Sequence, residues 1–257
     1  MIRIKTKEDI KKLREGGKRH AEIMNSLIAM VRPGLNTSEL DEAARRLIEE
    51  KGDKASILNF KPFGAIRPYP AAICISINDE VVHGIPNENP RVLQEGDIVS
   101  LDFALTHKDL ITDMAVTVPV GKISQEKQDL LEGTKAALMA GIKAAKGGKK
   151  VGDISSAIEL AGISKGYGVV EDLAGHGVGY DVHEEPYVPN YGEKGKGEAL
   201  KPGMVIAIEP MFNMGTHHVV LDKEDGYTYR TKDGKPSAHF EHTVLITKGD
   251  AVILTLL

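Results

Sequence analysis

The 257-residue sequence holds one cysteine, Cys74, and no tryptophan. A single thiol excludes an intramolecular disulfide and argues against a thiolate zinc site within one chain. Basic charge is not in excess, since 33 Lys and Arg face 37 Asp and Glu for a net charge of -4. That balance argues against a protein that holds nucleic acid by bulk positive potential. The N-terminus, Met1-Ile2-Arg3-Ile4-Lys5-Thr6-Lys7, lacks the apolar stretch of a signal peptide. No run approaches the roughly 18 apolar residues of a membrane span. The expectation is a soluble chain of a reducing compartment, the cytoplasm, with no membrane contact. What is present is 41% hydrophobic and 27% charged residues, enough apolar matter for a sizeable core and too little bias for disorder.

Thr6 followed by Asp9 predicts a capped helix whose apolar positions run from Ile10 to Val31, ended by Arg32-Pro33-Gly34. A second helix is expected from about Ser38 to Lys51, and Gly121 to Gly147 reads as a helix-rich connection. The chain also echoes itself. Gly34 to Gly52 aligns with Gly148 to Gly166, and Val82-His83-Gly84-Ile85 with Gly175-His176-Gly177-Val178. The run Leu93 to Asp102 matches Leu200 to Glu209, and Thr112-Asp113 matches Phe240-Glu241. Four matches in one order predict a single catalytic domain, residues 1–257, built of two pseudo-symmetric α+β halves (about 1–120 and 121–257).

Asp97 to Leu105 and Leu110 to Val118 read as two strands of a hairpin. With His107 and Lys108 as the loop, Asp102 faces Asp113 across the pair. Like charges that close destabilise a sheet unless the hairpin is wet or a cation lies between them. The echo places Glu209 and Glu241 at the matching positions inside apolar runs. Four buried anions without a counterion are untenable. Oxygen-rich ligation with an imidazole suits a divalent ion such as Mn, Fe, Co or Zn. His176 stands between glycines, His183 follows seven residues on, and His83 is the counterpart of His176. One alone reads as a structural histidine; three in step with the carboxylates point to an active site. His20, His107, His217 and His218 receive no role, and His239 and His242, flanking Glu241, are read as neighbours of the ligands at most.

Several short patterns carry nothing. Gly162-Ile-Ser-Lys-Gly166 lacks the strand that precedes a serine nucleophile, and His183-Glu-Glu-Pro186 lacks the second histidine of a zincin helix. Gly175-x-Gly-x-Gly lacks the third glycine of a dinucleotide loop.

Taken together, Ile75-Ser-Ile-Asn78, Val81-Val-His83-Gly-Ile-Pro86, Ser100-Leu-Asp102-Phe, Thr112-Asp113, Gly175-His176-Gly-Val-Gly, His183-Glu-Glu-Pro186, Ile208-Glu209-Pro210 and Glu241-His-Thr243 resemble the type 1 methionine aminopeptidases. The resemblance runs from Ile4 to the C-terminus. It implies the pita-bread (creatinase/aminopeptidase-like) fold: an α+β pseudo-two-fold domain with a curved, mainly antiparallel sheet covered by helices. It implies removal of the initiator methionine from nascent polypeptides with a small second residue, through a hydroxide bridging two divalent metal ions. Carried over, the metal ligands are Asp102, Asp113, His176, Glu209 and Glu241, with Asp113 and Glu241 shared by both ions. His83 and His183 contact substrate, and Glu209 handles the proton. Tyr69, Cys74, Val182 and Tyr227 occupy pocket positions. Val182 and Tyr227 replace an aromatic and a tryptophan usual in the family, and Phe63-Gly-Ala-Ile-Arg-Pro-Tyr69 lacks its Gly-aromatic-His run. The type 2 insertion and a zinc-binding N-terminal extension are not found.

Two other readings share the fold. One cleaves before proline, as a prolidase or Xaa-Pro aminopeptidase does; those relatives usually carry a large N-terminal domain. The other is a non-catalytic pita-bread module that binds peptides. Such proteins lose metal ligands, and all five positions stand here. A monomer is expected. The first helix reads as basic (Arg3, Lys5, Lys7, Lys11, Lys12, Arg14, Lys18 and Arg19 against Glu8, Asp9 and Glu15) and offers a ribosome contact, against the simpler reading of a solvated face.

Overall fold

The computed structural model describes residues 2–62 and 64–256; Phe63, which opens the loop noted above, lies outside the described residues. Helix α1 spans Lys7–Ile28 behind a Thr6–Asp9 capping box, and α2 spans Thr37–Glu50 behind an Asn36–Glu39 box. Helix α3, Gln125–Ala144, and α4, Val151–Ile163, form the corresponding pair in the second half. A nine-stranded sheet, antiparallel at every pairing, joins the halves. Its middle runs in the order Ile98–His107, Leu110–Pro119, Glu241–Leu245, Val205–Ile208, Ala174–Gly177.

Strand periodicity sorts these residues. Leu101, Phe103 and Leu105 pack with Leu27, Leu40 and Ile48 from α1 and α2. Ile206, Ile208 and Val244 pack with Leu138, Ile154 and Ile158 from α3 and α4. The alternate residues, among them Asp102, Asp113, Glu209 and Glu241, line a cavity on the opposite face. The helices thus supply the apolar burial that leaves the other face free to carry charge.

The internal echo has a backbone counterpart. Gly34 and Gly148 both stand at φ 85°, in the left-handed region that only glycine enters freely. Each donates its N–H over 2.9 Å to the equivalent carbonyl, Leu93 or Leu200. The isolated bridges Asn36–Val92 and Lys150–Ala199 match as well. His83 and His176 do not share surroundings: His176 lies in the main sheet, whereas His83, at φ 61°, follows the strand Glu80–Val82 of a separate three-stranded sheet.

Two expectations need correction. The hairpin turns at Lys108-Asp109, both at positive φ (50° and 64°), as a two-residue loop matched to strand twist requires. Asp102 therefore lies opposite Ala115, and Asp113 opposite Ala104. Moving the loop by one residue moves each partner by two, so both aspartates keep the same face and sit diagonally. The second correction concerns the basic helix: Lys5 precedes it and is buried, its Nζ 2.6 Å from Glu184 Oε2, while Arg3 pairs with Asp181.

Helix α1 packs at two glycines against Leu254, near the end of the chain, and against His107, at the end of the strand Ile98–His107. A Cβ on Gly17 would stand 2.2 Å from the Leu254 carbonyl oxygen, and one on Gly16 3.0 Å from His107 Cβ. Alanine improves an exposed helix by up to about 1 kcal/mol over glycine. Here Gly17→Ala is expected to lower unfolding free energy by about 1–3 kcal/mol through overpacking. Denaturant unfolding measures the change, and an increase in stability contradicts this packing.

Candidate metal centre and substrate cavity

Register aligns the acidic residues. Asp102 faces Ala115, and Ala115 faces Glu241 on its other side. His242 faces Ile208, so the same register carries Glu241 next to Glu209. The result is one row across four strands, Asp102–Ala115–Glu241–Glu209, with Asp113 two residues from Ala115 on the same face. Alanine at the centre leaves room between the acids. Asp113 is fixed by Thr243, whose Oγ1 accepts from Asp113 N and donates to Asp113 O, each over 2.7 Å.

His176 enters from the neighbouring strand. Its Nε2 lies 3.4 Å from Glu209 Oε1 and 4.0 Å from Asp113 Oδ2. Its Nδ1 lies 2.9 Å from the Gly177 carbonyl oxygen, an arrangement in which Nδ1–H donates and Nε2 presents its lone pair to the acids. One donor atom each from Asp113, His176 and Glu241 falls within 4.8 Å of the others.

Burial strains this group electrically. It pushes Asp102 up to about 8, with Asp113 adding repulsion, and Asp113 up to about 7, with Glu209 adding repulsion. Burial also raises Glu209 to about 8 and Glu241 well above the ordinary carboxylate range. Glu241 Oε1 has no hydrogen-bond partner. Among the described residues no Lys or Arg pairs with the five candidate ligands, and the imidazoles beside the acids bring no compensating charge, since burial lowers His176 to about 3. Buried oxygens held apart in a cluster, one of them orphaned, with an imidazole lone pair beside them, fit a divalent cation.

Two more histidines frame the cavity. Gly84 packs so tightly on Ile75 that a Cβ would lie 2.3 Å from its carbonyl oxygen, and that turn sets His83. His83 is lowered to about 4, by burial first and then by His183. The exposed His183 stacks edge-on to His176 with ring centroids 4.5 Å apart. Its loop is anchored by Glu184, which accepts from Lys5 Nζ and, over 2.5 Å, from Tyr180 N.

The cavity, about 220 Å³, brings together every site residue that the sequence suggested. Tyr69, Cys74, Val182 and Tyr227 form its apolar part. Tyr69 donates to the Gly84 carbonyl over 2.8 Å and Tyr227 donates to the Arg67 carbonyl, so both hydroxyls bond main chain. Their rings meet edge to face at 5.1 Å. Burial pushes the Cys74 thiol well up, which keeps it an uncharged, soft wall. Sequence reasoning missed Ile57, Phe60, Leu173 and Met211, which also line the space, as does His239, which it read only as a neighbour of the ligands. Met211 and His239 each stand two residues from a glutamate of the row, a spacing that was readable. Phe60 comes from a loop and carried no signal.

The sequence profile of metallopeptidase family M24 matches residues 11–248. The chain is 47% identical over 257 residues to the methionine aminopeptidase of Aquifex aeolicus, covering 99% of this chain and 98% of that one. It is 43% identical over 255 residues to methionine aminopeptidase 1 of Bacillus subtilis, with 99% of each covered. The crystal structure of methionine aminopeptidase from Rickettsia prowazekii superposes with a TM-score of 0.94 at 38% identity, over 100% of both chains. A prolidase from Pyrococcus furiosus, 24% identical, shares the fold with a TM-score of 0.75 over 99% of this chain and 65% of its own. With the family profile matched over residues 11–248 and relatives more than 40% identical across 99% of the chain, the protein belongs to metallopeptidase family M24 and, within it, to the methionine aminopeptidases.

Proposed function

We propose that this protein removes the N-terminal, initiator methionine from nascent polypeptides whose second residue is small. The observation that carries the reading is the single cavity in which five candidate metal ligands, two histidines and an apolar pocket meet. Asp102, Asp113, His176, Glu209 and Glu241 would hold two divalent ions drawn from Co, Mn, Fe or Zn. Asp113 and Glu241 stand on the two inner strands of the row, with Asp102 and Glu209 on the outer ones. A divalent cation bound there supplies Lewis acidity, which acidifies water and polarises a peptide carbonyl.

The chain's own residues do the rest. Glu209 takes a proton from the attacking water at a carboxylate oxygen and returns it to the leaving amine. His183, at the mouth, donates to the oxygen of the scissile carbonyl as charge builds there. His83 contacts the substrate from the facing turn. Tyr69, Cys74, Val182 and Tyr227 hold the methionine side chain, with no free polar group offered by the two tyrosines to an alternative polar residue. The preference for a small second residue is in keeping with a cavity of about 220 Å³ that Phe60 and Leu173 also line.

The enzyme is proposed to act as a cytoplasmic monomer. Lys7, Lys11, Arg14 and Lys18 form an exposed basic face on α1, suited to ribosomal RNA near the emerging N-terminus.

Chelation is expected to abolish release of methionine from a Met-Ala-Ser peptide, and added Mn or Co to restore it, while Xaa-Pro peptides stay intact. Glu209→Gln is expected to lower kcat on the order of a hundredfold or more. Cleavage before proline, or no hydrolysis with any of the four metals, contradicts the proposal. For the ribosome contact, charge reversal at Lys11 and Lys18 should reduce co-sedimentation with ribosomes and flatten its salt dependence. Unchanged sedimentation removes that part of the reading.

A further inference from the structure

His239 ends the strand Ser237–His239, paired opposite Met211, and is 2% exposed. Its ring faces the same cavity as the acids. Neither Nδ1 nor Nε2 has a hydrogen-bond partner among the described residues. A buried imidazole with both nitrogens unpaired costs free energy, which points to a missing partner at the loaded site. The ring's position is not left to chance. Thr117 Oγ1 accepts from His239 N and donates to His239 O, both over 2.8 Å, and is itself 2.8 Å from Ser100 Oγ.

The polar group next to the ring is Glu209. His239 Nε2 lies 3.3 Å from Glu209 Oε2, while His176 Nε2 lies 3.4 Å from Glu209 Oε1. An imidazole therefore stands at each oxygen of the one carboxylate to which proton handling is assigned. The two differ in role. His176 spends Nδ1 on the Gly177 carbonyl and shares the cluster with Asp113 and Glu241. His239 has no such main-chain bond and stands outside that cluster.

We propose that His239 is a positioning residue for Glu209: Nε2–H donates to Oε2 in the loaded enzyme and leaves Oε1 directed at the metal side. Only a small movement of either side chain is needed, since Nε2 and Oε2 already stand 3.3 Å apart. Fixing one oxygen removes a rotational freedom that the carboxylate must otherwise lose on each turnover, and it sets which oxygen meets the cation. This inference rests on the reading of Glu209 given above.

The test compares His239→Leu, His239→Asn and His239→Gln with the unsubstituted protein. Leucine removes the donor, asparagine keeps an amide too short to reach, and glutamine restores an N–H at about the same distance. Titration calorimetry with Mn gives affinity and ions per chain, and steady-state assays on Met-Ala-Ser give kcat and KM. Leucine and asparagine are expected to weaken Mn binding about tenfold or more, as losses of a ligand's outer partner do. They should lower kcat with little change in KM, leave the number of ions unchanged, and be largely rescued by glutamine. If leucine prevents folding, asparagine against glutamine still decides. Affinity and kcat equal to the unsubstituted protein overturn the proposal. So does the loss of one ion per chain, which makes His239 a ligand, or glutamine behaving like asparagine. If the unsubstituted protein itself binds no Mn and releases no methionine, the proposed function has failed and not this inference alone.

Discussion

Four carboxylates share one row and its diagonal on one face of a sheet, and burial makes each of them resist ionisation. That mutual repulsion is the constraint around which the rest of the molecule is arranged. A sheet face packed against four helices has enough apolar burial behind it to tolerate such a cluster, whereas an isolated hairpin would splay or turn its acids to water. The histidines beside the acids are themselves held neutral by burial, so they offer lone pairs and hydrogen bonds and not compensating charge. A divalent cation is the one partner of the right sign and hardness for this set of donors.

The strands that carry the acids are locked in register by side chains as well as main chain. Thr243 bonds both main-chain groups of Asp113, and Thr117 does the same for His239, at the two ends of the short pairing that places Glu241 opposite Ala115. A slip of one residue here would reverse every acid into the helical core. At the mouth, a long-range ion pair between Lys5 and Glu184, both nearly inaccessible, ties the start of the chain to the loop of His183. The N-terminal residues thus belong to the site's support and not to a free basic tail.

Much of this was legible in the sequence. The echo carried the two-fold arrangement, because the same chain turns need the same glycines, as Gly34 and Gly148 show. The acids' common face was legible even though the hairpin register was not, since parity survives a shift of the turn by one residue. What stayed hidden depends on contacts between distant segments. Nothing near Lys5 announces Glu184, nothing in the loop of Phe60 aims it at the cavity, and the place of His239 beside Glu209, on another strand, shows only in the folded chain. The Tyr227 hydroxyl is satisfied because the Arg67 carbonyl accepts its hydrogen bond, and that acceptor also lies far off in the chain.

The most direct test of the central claim is thermal unfolding of the chelated protein between pH 7 and 8.5, with and without Mn. Unfolded carboxylates lose their protons near pH 4, but in the folded chain Asp113 holds its proton to about 7 and Asp102 and Glu209 to about 8. The folded form then binds more protons, so raising the pH destabilises it. Buried histidines act in the opposite sense, but unfolded imidazole is half uncharged at about pH 6.5 and about nine-tenths uncharged by about pH 7.5, so that effect fades across this window. The account predicts a Tm that falls across this window without metal, and a stabilisation by Mn that grows as the pH rises. A metal-free Tm that is flat or rising, with a Mn shift independent of pH, would contradict it.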